Sequence, residues 1–319
     1  MKNIRLAPTL SASLSIVAVL AGCGGAQSGS VPQGASGFQG RAHQASGSSG
    51  DLLYVSDFGG TNDVYALSYP SGALVATLTG FQSPGGLCAD GSGNVYVTDS
   101  QAADIVEYAH GGTSPIKTLH GSGRPSACGI DPNTGNLAVS NYNSFVSIYK
   151  NASGNPSDYS TQTSAAFCAY DTHGNLYVVE AGQLSTGNVI EKLSNGGASF
   201  ERVNLNKRLG NFWPAGIQRY GKDLVVAHEG PDGYGCCGRV YRFIVKDTNG
   251  KHAGSFLTDG NINDIFVYDS TVIATTFNGT IQYYDYPKGQ GPTQVFKEPG
   301  GSPFGVTISV APSGSHIRK

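Results

Sequence analysis

The amino-acid sequence predicts an all-β fold, a six-bladed β-propeller over residues 51–313. The most regular repeating unit is Pro84–Gly111, and looser copies of it follow along the chain. Repeats of this size built from short strands are typical of propeller blades. Gly contributes 46 of the 319 residues and charged side chains only 13%, which suits many tight turns and disfavours long helices. The net charge of −2, with no basic run beyond Lys207–Arg208, argues against nucleic acid as a partner.

Residues 1–22 are predicted to be a signal peptide. Lys2 and Arg5 give a positive start, and residues 14–20 (LSIVAVL) form an apolar core that is shorter than the ~20 residues of a bilayer-spanning helix. The LAGC sequence ending at Cys23 resembles the lipobox of bacterial lipoproteins, which implies cleavage before Cys23 and a lipid on its thiol. A plain secretory signal is the alternative. Either way we expect an extracytoplasmic protein of the bacterial cell envelope, on the periplasmic or cell-surface side.

Residues 23–50 are predicted to be a flexible tether that starts at the lipidated Cys23. The stretch is rich in Gly and Ser and has almost no aliphatic side chains, so it cannot bury enough apolar surface to order itself. Such a chain would reach roughly 30 Å from the membrane. Residues 314–319 are expected to form a short C-terminal tail.

One strand marks each blade most reliably, because it ends in a polar residue at regular intervals. These end residues are Asp57, Asp99, Asn141, Glu180, His228 and Thr276, spaced 42, 42, 39, 48 and 48 residues apart. Each copy is followed by a second strand with period-2 alternation and by a weaker outer strand. An apolar run precedes each copy, as expected for the strand nearest the propeller axis. Six copies of four strands give six blades.

The ends of the repeat indicate how the propeller closes. The chain starts at the second strand of the first blade, residues 52–56, and finishes with an innermost-type strand, residues 306–310. We therefore expect the C-terminal strand to complete the first blade, which would remove the open sheet edges that invite aggregation.

The repeat resembles the NHL repeat, with the pattern P-x-G-apolar-x-x-D-x-x-G-N-apolar-Y-V-x-D. The match is best in Pro84–Asp99 and in Pro125–Asn141, and the whole resemblance covers about 260 residues. It is also similar to tandem propellers of secreted bacterial proteins. The resemblance implies the propeller fold and indicates little about function. The last three blades depart from it, with longer connections and fewer Pro and Gly markers.

The polar residues that end the second strands, from Asp57 to Thr276, could form a ring of oxygen ligands for a cation such as Ca²⁺. However, these positions lie one strand away from the axis, so carboxylates of different blades should be too far apart to share one ion. Short polar side chains also bond readily to turn backbone. We therefore expect turn capping.

A metal-dependent hydrolase is the alternative function. Gluconolactonase-like and paraoxonase-like hydrolases are six-bladed and hold a divalent cation through Glu, Asn and Asp around the axial mouth. The residues here that lead into the innermost strands are Ser83, Arg124, Ser164, Trp213, Asn263 with Asp264, and Ser302. A single carboxylate does not make a metal cage, and the chain has no G-x-S-x-G or H-E-x-x-H motif. We predict no catalytic residue, metal or cofactor, and expect a binding or scaffold module.

Five cysteines follow Cys23. Cys128 and Cys168 occupy the same repeat position, and Cys88 lies one residue further along its strand, so it should face the other way. Neighbouring inner strands are usually too far apart for a disulfide, which needs Cα atoms within about 4.4–6.8 Å. We expect these three to be buried thiols. The adjacent Cys236 and Cys237 form either a strained vicinal disulfide or two free thiols.

Two long connections predict where a ligand would bind, because loops on a rigid scaffold carry function. One follows His228, and the other spans residues 204–213 and includes the only Trp. Both should open on the face of the fourth and fifth blades, and an aromatic ring beside a cation is a common recognition pair. Alternatively, the loops merely pack together. The candidate ligand-binding residues for a protein or small molecule are Arg208, Phe212, Trp213, His228, Glu229, Asp232 and Tyr234.

Overall fold

The computed structural model describes residues 50–182, 187–230 and 237–312, and these form six β-sheets, antiparallel except for one strand pair. Their strands are β1 (Leu52–Asp57), β2 (Val64–Ser68), β3 (Leu74–Leu78), β4 (Pro84–Ala89), β5 (Val95–Asp99), β6 (Asp104–Tyr108), β7 (Pro115–His120), β8 (Pro125–Ile130), β9 (Leu137–Asn141), β10 (Phe145–Tyr149), β11 (Ser157–Ser160), β12 (Ala165–Tyr170), β13 (Leu176–Glu180), β14 (Val189–Leu193), β15 (Glu201–Arg202), β16 (Asn204–Leu205), β17 (Pro214–Tyr220), β18 (Asp223–His228), β19 (Arg239–Lys246), β20 (Asn249–Leu257), β21 (Ile262–Tyr268), β22 (Thr271–Thr276), β23 (Thr280–Asp285), β24 (Gln294–Lys297) and β25 (Pro303–Ser309). Within these ranges no helix is long and apolar enough to cross a bilayer.

The six sheets are the blades of a six-bladed β-propeller, which confirms the predicted fold class. From the axis outward they run β25-β1-β2-β3, β4-β5-β6-β7, β8-β9-β10-β11, β12-β13-β14-β15, β17-β18-β19-β20-β16 and β21-β22-β23-β24, and we number them blades 1 to 6 in this order. The predicted signal peptide, Cys23 and nearly all of the tether lie outside the described residues, as does the tail at 314–319.

Blade 1 is closed by the C-terminal strand, as the repeat phase predicts. Strand β25 pairs antiparallel with β1, from Leu52 opposite Ser309 to Val55 opposite Val306. Each innermost strand also contacts the innermost strands of the two neighbouring blades, and β25 completes this ring between β21 and β4. The fold is therefore circular, with the two ends of the repeat in one sheet.

Blade 5 has a fifth strand that the sequence interpretation treated as loop. Strands β19 and β20 are 8 and 9 residues long, so they extend beyond the outer strands of the other blades and expose a longer sheet edge. Strand β16, from the 204–213 connection, pairs with β20 in parallel and covers part of this edge. Asn204 of this strand and the next residue after the strand, Asn206, donate their backbone N–H groups to the carbonyl oxygens of Thr248 and Gly250 over 2.8 and 3.0 Å.

The innermost strands approach each other so closely that glycine is required at several contacts. A Cβ added at Gly86 of blade 2 would lie 2.5 Å from Cβ and 2.8 Å from Cα of Ala127 in blade 3. One added at Gly305 of blade 1 would lie 2.5 Å from the Gly85 carbonyl oxygen. Real Cβ contacts are longer than this, so small residues set the spacing of the ring.

A bulge interrupts the pairing of the inner strand with its neighbour in all six blades. In four blades the second strand places a hydroxyl at the bulge, from Ser56, Thr98, Ser140 or Thr275. Ser56 Oγ accepts the Gly305 N–H over 2.8 Å and donates to Gly85 O of the next blade over 2.7 Å. Each hydroxyl therefore satisfies backbone groups that the bulge leaves unpaired and joins two blades.

Cys88 and Cys128 form a disulfide, so the expectation of three buried thiols is wrong for this pair; the third cysteine, Cys168, is free and buried. Their Cα atoms are 5.6 Å apart, because the close ring brings neighbouring inner strands within disulfide range. Cys128 and Cys168, which share a repeat position, both face the preceding blade: Cys128 Sγ lies 3.7 Å from Tyr96 O in blade 2, and Cys168 Sγ 3.6 Å from Ala138 O in blade 3. Successive side chains of a strand face opposite ways. The one-residue offset of Cys88 therefore turns it towards blade 3 and Cys128.

This disulfide joins blades 2 and 3 across a sequence separation of 40 residues, which corresponds to about 4 kcal/mol in the chain-entropy account. The repeat position that faces Cys168 from blade 3 is Gly129: a Cβ added there would meet Cys168 O at 3.0 Å. Cys168 therefore has no facing cysteine in the neighbouring inner strand. Cys237 takes part in a disulfide, whereas Cys236 lies outside the described residues, so the vicinal pairing stays a prediction.

We predict that Gly86→Ala lowers the free energy of unfolding by about 1–3 kcal/mol, the usual cost of overpacking, because Ala127 is fixed by its own blade. Gly91→Ala is the matched control, since a Cβ there meets nothing within 4 Å; its stability should be unchanged or up to about 1 kcal/mol higher. Urea unfolding followed by circular dichroism measures both. Equal stability of the two variants would contradict the close-ring account.

Candidate functional site

Three of the polar residues that end the second strands, Asp57, Asp99 and Glu180, hold the loops that lead into the innermost strands. Asp99 accepts the backbone N–H groups of Gln82 and Ser83 over 2.8 and 2.9 Å. Asp57 accepts those of Thr61 and Ser302 over 2.6 and 2.9 Å. Both aspartates therefore bond to backbone, as predicted. Most of these hydrogen bonds go to the loop that arrives from the preceding blade rather than to the turn next to the aspartate. No group of three His, Cys, Asp or Glu side chains among the described residues is placed to hold a metal ion.

In each blade, one residue follows the polar residue that ends the second strand. The six residues at this position form a rim around one end of the propeller axis. In every blade the backbone N–H of this residue donates to a carbonyl just before the inner strand. The donor–acceptor pairs are Phe58–Ser302, Ser100–Ser83, Tyr142–Arg124, Ala181–Ser164, Glu229–Trp213 and Phe277–Asn261. The sequence interpretation missed Phe58, Tyr142 and Phe277, although a fixed offset of one residue from the capping position would have found them.

A cavity of about 350 Å³ opens within this rim, and we call it the mouth cavity. It is lined by Phe58, Trp213, Glu229, Asn263, Thr276, Phe277, Ser302 and Phe304. Three of its rings are strongly exposed for aromatic side chains: Phe277 by 57%, Phe58 by 40% and Trp213 by 37%. The Phe58 and Phe304 centroids are 5.3 Å apart. The mouth cavity therefore has aromatic walls on the side of blades 5, 6 and 1.

Trp213 has an aromatic and cationic neighbourhood, although not the predicted one. Its ring lies 5.9 Å from that of Tyr142, and the Arg124 guanidinium lies over Tyr142 at 5.1 Å. Arg208, the expected cation, instead lines a different cavity of about 540 Å³ between blades 4 and 5, where its Nη2 donates to Asn211 Oδ1 over 2.8 Å.

The other predicted ligand residues are only partly brought together. Glu229 donates its N–H to Trp213 O over 2.9 Å, so these two share the rim. Phe212 is 40% exposed and packs near Gly230 rather than lining the mouth cavity. His228 is 1% exposed, with its Nε2 3.3 Å from Tyr241 Oη, so it lies inside the blade. Asp232 and Tyr234 fall outside the described residues.

Asp264, the single carboxylate at the predicted inner-strand positions, is committed to backbone. Its side chain accepts the N–H groups of Ile265 and Val306 over 2.8 and 3.1 Å, and the residue is only 5% exposed. Burial raises its pKa well above the ordinary value, against these hydrogen bonds. Asp264 therefore supports the contact between blades 6 and 1.

Carboxyl groups near the rim hold protons at unusually high pH. Burial raises the pKa of Glu229 to about 7. Burial also raises that of Glu298 to about 7, although it accepts the Gly301 N–H. The pKa of Glu180 is raised by burial and by the nearby Glu191 carboxyl, against the hydrogen bonds that it accepts from Thr163. The charge of the rim therefore changes around neutral pH.

Comparison with known proteins supports the fold alone. No protein-family model matches the chain, and no curated protein matches it, so the NHL resemblance stays a sequence interpretation. A chain of the crystal structure of a nidogen/laminin complex, itself a β-propeller, matches with a TM-score of 0.66 and 16% identity over 82% of this chain and 99% of that chain. The structure of U3-55K matches with a TM-score of 0.49 and 12% identity over 69% of this chain and 66% of that chain, which is too distant to support an argument.

We predict that the domain is less stable at pH 8 than at pH 5. A carboxyl whose folded pKa is raised binds more protons in the folded than in the unfolded state, so stability falls as pH rises from its ordinary 4.5 through the folded value. Urea unfolding at the two pH values tests this. Glu191→Gln, which removes the like charge beside Glu180, should flatten the dependence, whereas Glu201→Gln on the exposed β15 should not. Stability that rises from pH 5 to pH 8 would contradict the assignment.

Proposed function

We propose that this chain is a lipid-anchored binding module of the cell envelope that holds an organic cation in the mouth cavity. One observation carries the proposal: four aromatic rings and a single ionisable group, Glu229, line the cavity as far as the structure describes it. Aromatic faces attract cations through their ring quadrupole, and groups of such rings recognise quaternary ammonium ions. Glu229 would supply the compensating negative charge.

The aromatic walls favour a cation over an anion or a purely apolar ligand. An anion would meet the negative faces of the rings and the Glu229 carboxylate. A purely apolar ligand would leave the Glu229 carboxylate without a partner in a desolvated site. An ammonium ion uses both the rings and the carboxylate, and the cavity of about 350 Å³ lies in the usual range for small ligands.

Binding should depend on pH because the carboxyl must lose its proton to act as a counter-ion. With a pKa of about 7, Glu229 is ionised roughly ten times more often at pH 8 than at pH 6. If only the ionised form binds well, apparent affinity falls in proportion to that fraction.

The expected result is that tetramethylammonium, titrated by calorimetry into the purified chain, binds about tenfold more tightly at pH 8 than at pH 6. Glu229→Gln should weaken binding and remove the pH dependence. Trp213→Ala should weaken binding by about tenfold or more, whereas Trp213→Phe, which keeps a ring, should retain most of it. Glu201→Gln is the control for an exposed carboxyl away from the cavity.

Two outcomes would overturn this assignment. One is equal binding of tetramethylammonium and of neutral tert-butanol, which is of similar size. The other is a loss of several kcal/mol of folding stability in Trp213→Ala, the cost of truncating a core aromatic, because Trp213 would then be part of the core rather than a wall of the site.

The proposed anchor has its own test. Cys23→Ser should release the protein from the membrane fraction, because a stable lipid anchor at this position depends on the Cys23 thiol. Cys168→Ala is the matched control, since its thiol is buried in the propeller, and that variant should stay with the membrane. Fractionation followed by immunoblotting measures both. Membrane association that survives Cys23→Ser would contradict the lipid anchor.

A further inference from the structure

A second cavity, of about 300 Å³, lies on the propeller axis beyond the aromatic mouth, and we call it the axial cavity. Phe304 of the mouth cavity stacks with Phe167 of the axial cavity at a centroid distance of 6.5 Å, so this pair separates the two. The axial walls come mostly from the innermost strands and include the apolar side chains of Leu87, Ile130, Ile217 and Phe266 beside several polar groups. A cavity of this size can take a small organic ligand.

Arg219 brings a positive charge to this cavity. Its Nε and Nη1 atoms are buried and have no hydrogen-bond partner among the described residues. The guanidinium lies over the Tyr177 ring at 5.5 Å, but a ring face offers no oxygen acceptor for its N–H groups. Buried donors without partners are rare and call for an explanation.

Neighbouring carboxyls do not supply that partner. Asp171 also lines the cavity, but its oxygens accept the N–H groups of His173 and Asn175 and the Asn175 side-chain amide, each over 2.9 Å. Burial would raise the Asp171 pKa, but these hydrogen bonds and the Arg219 charge lower it. Asp264 is bonded to backbone, as described above. Among the described residues Arg219 therefore has no oxygen acceptor, and the Asp171 carboxylate acts on it only as a nearby charge.

A further polar atom of the cavity is also unmatched. Thr307 lines the cavity and is fully buried, and its Oγ1 has no hydrogen-bond partner among the described residues. Gln218, by contrast, is satisfied by both backbone groups of Val267, over 2.6 and 3.0 Å. The unmatched groups are thus a cation and a hydroxyl, both of which can donate hydrogen bonds to an oxyanion.

We propose that the axial cavity binds a small monocarboxylate with a short apolar tail. The carboxylate would accept hydrogen bonds from the Arg219 guanidinium, and the tail would pack against the aliphatic and aromatic walls. Charged hydrogen bonds of this kind are strong in a desolvated site. This inference is independent of the mouth cavity, because the two sites share no lining residue.

Hexanoate is the probe, titrated by calorimetry into the purified chain. We expect saturable binding of one hexanoate per chain, and at least about tenfold weaker binding of the neutral hexanamide. Arg219→Gln should weaken hexanoate binding by at least about tenfold and should leave the melting temperature equal or higher, because it removes a buried cation without an acceptor. Lys222→Gln is the matched control, since Lys222 is an exposed cation three residues away, and it should bind normally.

The proposal is overturned if hexanoate does not bind saturably, or if Arg219→Gln and Lys222→Gln bind it equally well. If Arg219→Gln fails to fold, the comparison of hexanoate with hexanamide in the unaltered chain decides: equal affinities overturn the proposal. Trp213→Ala should leave hexanoate binding unchanged, and loss of binding in that variant would place the probe in the mouth cavity instead.

Discussion

The close approach of the six innermost strands is the constraint on which the rest of this structure depends. Neighbouring inner strands are so near that Gly86 and Gly305 have no room for a Cβ. A bulge bends the inner strand of every blade and leaves backbone groups unpaired. In blade 1 the Ser56 hydroxyl bonds to Gly305 of its own blade and to Gly85 of the next. The same spacing lets Cys88 and Cys128 form a disulfide between blades. The closure of the ring, the contacts between blades and the disulfide therefore all depend on the short distance between neighbouring innermost strands.

Much of the fold could be predicted from the sequence, because each blade needs the same pattern of alternating strands and Gly-containing turns. The alternating strands predicted the number of blades, and the unpaired innermost-type strand at residues 306–310 predicted that β25 would close blade 1. The disulfide was not predicted, because neighbouring inner strands were expected to lie too far apart and the offset of Cys88 was expected to turn it away from Cys128. In a ring, side chains of opposite parity on neighbouring inner strands face each other, so the offset is the condition for contact.

The site could be predicted only in part, because loop length indicates which face a residue occupies but not which cavity it lines. Trp213 and Glu229 share the rim, since each stands next to a strand end with a fixed position in the repeat. Arg208 lies further from any repeat position and lines another cavity. His228 is the last residue of its strand, as the repeat predicts, and its ring packs against Tyr241 in the blade rather than joining the loop that follows.

Departures from the repeat bring the chemically distinctive groups to the axis. At the rim, one repeat position carries Ser100 in blade 2, Glu229 in blade 5 and Phe277 in blade 6, although the same backbone hydrogen bond holds all three. Along the inner strands, the position of Arg219 in blade 5 is an alanine, Ala89, in blade 2. Because the backbone geometry is fixed by the close ring, such substitutions change the lining of the axis without changing the scaffold. A propeller of this kind can therefore carry two unlike cavities on one axis, with aromatic rings and a carboxyl in one and a guanidinium in the other.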